Sequence, residues 1–189
     1  MEGKETELAK AAENNELQTM EQLIAEGVSA DAKEDGNYPA LYNAAIRGHL
    51  DALKLLRKHG ANLEATGPDG ATALMRAAHY GKADCAEALL EWGADKDAAD
   101  NDGKTALHHA ANGRLECARL LVRARADRAK KNNQGKTALG IALEKGHPEI
   151  VLLLADDPEV VAKARADIQV RFESPQPMRL RKYVLRHQI

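Results

Sequence analysis

The chain has 189 residues, 44% of them apolar and 30% charged, enough for one domain and a tail but not for two domains. Aromatic residues make up 3% while alanine and leucine abound, so close-packed helices are expected and a sandwich of strands is not. No stretch reaches the roughly 18 apolar residues of a membrane span, and the opening MEGKETELAK has no apolar targeting region. Cys85 and Cys117 are too few for a disulfide framework or a CxxC-type zinc site. A reducing compartment fits: the cytoplasm by default, with a nuclear or cytoskeleton-associated location left open. The net charge of -2 conceals a gradient, since residues 1–35 hold three Lys/Arg against ten Asp/Glu and residues 163–189 hold seven against two. Such polarity bears on partners and orientation, not on fold.

In chain order, one unit recurs five times. Leu8, Leu41, Leu74, Leu107 and Leu139 are spaced 33, 33, 33 and 32 residues apart, and all but Leu139 are followed three residues later by an alanine pair. A second ladder, Leu23, Leu56, Leu89, Leu121 and Leu154, runs fifteen residues behind the first, except in the fourth copy, where the gap is fourteen. The missing residue lies near Asn112 and Gly113. Between the ladders sit Asn15, Gly48, Gly81, Gly113 and Gly146, and twelve residues after each come Gly27, Gly60, Gly93, Arg125 and Pro158. Two apolar periodic segments punctuated by residues that tolerate left-handed backbone predict helix, turn, helix, loop in each copy.

The stretches TALMRAAHYGKADCAEALLEWGAD (72–95), TALHHAANGRLECARLLVRARAD (105–127) and KTALGIALEKGHPEIVLLL (136–154) resemble ankyrin repeats. The resemblance implies an all-α solenoid of about five helix-turn-helix repeats with hairpin-like loops between them and a C-terminal extension. The divisions are an N-terminal capping repeat at 1–34 and four further repeats at 35–67, 68–100, 101–132 and 133–157. A capping helix at 158–167, begun by Asp157 and Pro158, and a basic extension at 168–189 complete the chain. Within the extension, IQVRF alternates apolar and polar residues and is expected to be extended. Ala73, Ala106 and Ala138 replace the family's proline, Pro39 takes the threonine position of the second copy, and Arg125 stands where a left-handed glycine is usual, a site of local strain or of an altered loop path.

His108 and His109 raise the question of chemistry. By the resemblance, His108 is a structural brace that bonds backbone and Thr105 at the start of its helix. Adjacent helix positions diverge by about 100°, so His108 and His109 do not chelate one ion. His49 and His147, Cys85 and Cys117 read as structural, and DKDAADNDG, which lacks a calcium loop's final glutamate, as a solvated loop. No nucleophile elbow, phosphate-cradling glycine loop or HExxH occurs. No catalytic residue, cofactor or metal is therefore assigned, and an enzyme is not expected.

Ankyrin-repeat proteins bind partners with loop tips and the open face of the first helices. Carried over by position, the binding candidates are Asp35, Tyr38, Ile46, Arg47, Asp69, His79, Tyr80, Asn101, Asp102, Lys104, Asn112 and Lys136. Arg179, Arg181, Lys182 and Tyr183 of the tail join them, the tail being open to three readings: folding back, docking a partner, or disorder. The expected function is a non-enzymatic protein-interaction scaffold or adaptor that uses the concave groove and the extension, as a monomer or in a hetero-complex. A regulatory or inhibitory subunit, and phosphate-rich partners on the basic C-terminal region, are the alternatives; nucleic acid is not otherwise expected.

Overall fold

The computed structural model describes residues 2–35 and 37–173, with side chains over 3–35 and 37–170. Eleven helices follow in chain order among them: α1 (Glu2–Asn14), α2 (Leu17–Ala25), α3 (Ala40–Arg47), α4 (Leu50–Lys58), α5 (Ala73–Tyr80), α6 (Ala83–Glu91), α7 (Ala106–Ala110), α8 (Leu115–Arg123), α9 (Ala138–Lys145), α10 (Pro148–Leu154) and α11 (Pro158–Glu173). The odd-numbered helices α1 to α9 pack in one row and the even-numbered α2 to α10 in another. The result is an all-α solenoid in which each helix pair leans on the pair before and after it.

The core is the layer between the rows. Leu8, Leu41, Leu74 and Leu107 are buried, as are Leu23, Leu56, Leu89, Leu121 and Leu154. Alanines such as Ala44, Ala77 and Ala110 are fully enclosed and let neighbouring first helices approach closely. Only Leu139 of the ladders remains partly open, in the last repeat.

Helix ends follow from local chemistry. Thr72 and Thr137 cap α5 and α9, accepting from the backbone N–H of Met75 and Gly140. Glu16, His49, Lys82 and His147 each donate a backbone N–H to the carbonyl five residues back at 2.8–3.0 Å, around a left-handed Asn15, Gly48, Gly81 or Gly146. In the fourth copy the deleted residue shortens α7, and Arg114 instead bonds Ala110, four residues back, at 2.8 Å. The deletion is thus absorbed inside one turn, leaving α8 in register. Arg125 adopts φ 59° where three copies have glycine, the strained position expected from its side chain.

The loops between repeats are hairpins. The first contains two short antiparallel strands, β1 (Lys33–Glu34) and β2 (Tyr38–Pro39). In the later ones the closing bonds are Gly67 to Ala71, Asp100 to Lys104 and Asn132 to Lys136, each 3.0 Å. Asn101 and Asn133 reach back one repeat, donating their side-chain amides to the carbonyls of Pro68 (3.2 Å) and Asn101 (2.9 Å). A Cβ on Gly103 would lie 2.4 Å from Asn133 Oδ1, so this close approach requires glycine there.

Residues 168–172 depart from expectation. The IQVRF segment is not extended: α11 runs unbroken to Glu173, so the capping helix exceeds the expected 158–167. Alternation over five residues is a weak signal, and among the described residues no neighbouring strand offers a ladder, whereas a helix satisfies its backbone groups internally. The rest of the extension lies outside the described residues.

Candidate functional site

His108 sits buried at the start of α7. Its Nδ1 accepts the Thr105 backbone N–H at 3.1 Å and lies 2.9 Å from Thr105 Oγ1, while Nε2 meets the Lys136 carbonyl at 3.0 Å. An accepting Nδ1 and a carbonyl partner assign the proton to Nε2. This histidine therefore caps its own helix and pins the hairpin of the next repeat. Burial holds its pKa below the ordinary imidazole value.

The open face of the first helices carries a continuous row of polar and aromatic side chains. Tyr38 and Tyr42 have ring centres 5.7 Å apart, and the Arg76 guanidinium lies 5.2 Å from the Tyr42 centroid. Arg76 also pairs with Asp69 at the hairpin tip. One helical turn on, the His79 ring meets the edge of Tyr80 at 4.8 Å and approaches His109 of α7, Nδ1 to Nδ1, at 3.3 Å. His109 Nε2 lies 2.9 Å from Asp100 Oδ2. Asp100 is nearly enclosed, its side chain 7% exposed, and its Oδ1 accepts from the backbones of Asp102 and Lys104. The solvated-loop expectation for DKDAADNDG therefore fails at Asp100, which anchors a turn and a histidine. Beyond His109, a cleft of about 290 Å³ is bounded by Lys104, Asn112, Lys136, Glu144 and Lys145.

A family model for ankyrin repeats, built of three copies, matches residues 8–100 and 93–165. The chain belongs to the ankyrin-repeat family. Among curated proteins, none matches it. Ankyrin repeats are a protein-protein interaction fold, and family members are typically not enzymes.

In this ankyrin-repeat chain the candidates divide by how they are held. Tyr38 and Tyr80 are exposed, at 41% and 47%. Ile46 is half-buried against the core. Arg47 pairs with Glu13 of the first repeat at 2.6 Å, Lys104 with Asp102 at 2.8 Å, and Lys136 with Glu144. Asn101 spends its amide on the neighbouring hairpin, whereas Asn112 is exposed at the cleft. Asp35 is exposed in a left-handed conformation, its backbone N–H donated to Thr6 Oγ1 at 3.3 Å. Arg179, Arg181, Lys182 and Tyr183 lie outside the described residues.

Tyr42 and Arg76 are not among the sequence candidates, and His109 and Asp100 are weighed there only as metal ligands, not as groove residues. A signal existed: Arg76, His79 and Tyr80 stand at i, i+3 and i+4, hence on one helix face. Among the described residues, no group of three or more His, Cys, Asp or Glu is arranged to hold a metal ion. Cys85 and Cys117 are buried free thiols whose pKa burial pushes up to about 11, so they are packing groups rather than nucleophiles.

Proposed function

We propose that this ankyrin-repeat chain is a scaffold or adaptor that seats a protein partner in the groove formed by α3, α5, α7 and the hairpins preceding them. The observation that carries the reading is the pair Tyr38 and Tyr80, large rings left half in water. Each is backed by another ring, Tyr42 and His79 respectively. Rigidly backed aromatics suit contact anchors, because little side-chain freedom remains to be lost on binding.

The test is site-specific photo-crosslinking in cells, with benzoylphenylalanine at position 38 or 80 and, as control, at exposed position 54 on α4. Adducts with one protein at 38 and 80 but not at 54 are expected. The double variant Tyr38→Ala, Tyr80→Ala should lose that protein in co-purification while melting as the parent does. Equal capture at 54, or retention by the double variant, overturns the reading.

A further inference from the structure

The contact between His79 and His109 has room for one proton. At 3.3 Å two facing lone pairs repel and two facing N–H groups collide, so one Nδ1 donates and the other accepts. Since Asp100 Oδ2 is an acceptor, His109 Nε2 is a donor. Two protonation states of the array keep both bonds. With no excess proton, His109 accepts at Nδ1, His79 donates from Nδ1, and His79 Nε2 carries a bare lone pair. With one excess proton, His109 becomes an imidazolium that donates from both nitrogens. The bridging proton has then moved from His79 Nδ1 to His109 Nδ1, and the incoming proton has bonded His79 Nε2, so His79 stays neutral with its tautomer reversed.

Resting on the groove reading above, we propose that His79 Nε2 is a proton-controlled contact of the partner groove. Uptake of one proton turns it from acceptor to donor without moving the repeats. Above the transition it suits a hydroxyl or amide donor; below it, a carboxylate or carbonyl oxygen.

The surrounding charges place the excess proton on His109. His79 faces Arg76 from its own helix, Lys104 from the hairpin before α7, and Arg114 ahead of α8, whose Nε donates to the His79 carbonyl at 2.9 Å. His109 faces Asp100 as well as His79 and Arg76. Asp102 is occupied by Lys104, and of the fifth-repeat residues across the cleft, Lys136 and Glu144 pair with each other beside Lys145. Burial and the three cations hold His79 below the usual imidazole range; burial holds His109 below it, with Asp100 opposing. The change therefore falls below pH 6.5, the ordinary value.

The experiment is long-range ¹H–¹⁵N NMR of the histidine rings in the free full-length chain, from pH 8 to pH 5. At pH 8, His79 should be the Nδ1–H tautomer and His109 the Nε2–H tautomer. Below pH 6.5, His109 should become imidazolium while His79 stays neutral and switches to Nε2–H. Asp100→Asn should lower the midpoint by about one pH unit. Acetate, a small carboxylate, should then shift the His79 Nε2 resonance on the acid side of the midpoint and not at pH 8. Nε2–H on His79 at pH 8, prior ionisation of His79, an unmoved midpoint in Asp100→Asn, or acetate shifts at both pH values or at neither would overturn the proposal. Because the free chain is observed, failure here is separable from failure of the crosslinking test.

Discussion

Toward the second repeat, the third presents Arg76, laid over Tyr42 and paired with Asp69. Toward the fourth it presents His79, joined to His109 and through it to Asp100. Beneath both contacts lie the same alanines and the same leucine ladder. Guanidinium is a fixed-charge group, whereas imidazole is the side chain whose protonation is most readily moved by its surroundings. One backbone geometry thus supports a junction built on a guanidinium on one side of a repeat and one built on paired imidazoles on the other.

The largest effect should test the part the two junctions share. Leu74→Ala and Leu107→Ala each remove a buried rung and should cost about 2–5 kcal/mol, read as urea midpoints; a large inequality between them would show that the junctions differ in their cores as well as on their faces. His108→Ala comes next. It leaves the Thr105 N–H and the Lys136 carbonyl without their partner and should cost about 2 kcal/mol, an effect with no counterpart at the equivalent Tyr42 and Met75.

Acid separates the two junctions most directly. His79, His108 and His109 all have folded pKa values below the ordinary 6.5. The unfolded chain therefore binds protons first as pH falls: stability is full above pH 6.5 and declines below it, until the folded values are passed. Melting curves from pH 8 to pH 5 should show that decline, and the double variant His79→Gln, His109→Gln should reduce it to the part that His108 contributes. An unchanged slope in that variant would break the contrast. Arg125→Gly, remote from both junctions, should raise stability by about 1 kcal/mol by relieving the left-handed backbone, measured by the same curves. Smallest of all, Tyr80→Ala should change stability by under about 0.5 kcal/mol, in keeping with a ring that serves binding rather than packing.

The repeat architecture was legible because a 33-residue period, two leucine ladders and the left-handed turn positions are local patterns written in every copy. The role of His108 was legible by resemblance, through its place beside Thr105. The IQVRF part of α11 was misread, because a five-residue alternation competes there with a continuing helix, and among the described residues no strand pairs with it. The groove was half legible. Tyr38, His79 and Tyr80 occupy interaction positions within their own copies, but the partners of His79 and Arg76 come from other repeats or from hairpin tips.

Sequence by itself determined the number of copies, their helix-turn-helix form and the identity of the buried rungs, because each depends on spacing within some thirty residues. Tertiary structure alone decided that His79 faces His109, that Asp100 turns inward rather than to water, and that Asn101 and Asn133 zip the hairpins. Those pairings depend on the offset between stacked helices, which no single repeat encodes and which the close fit of alanines across the stack sets.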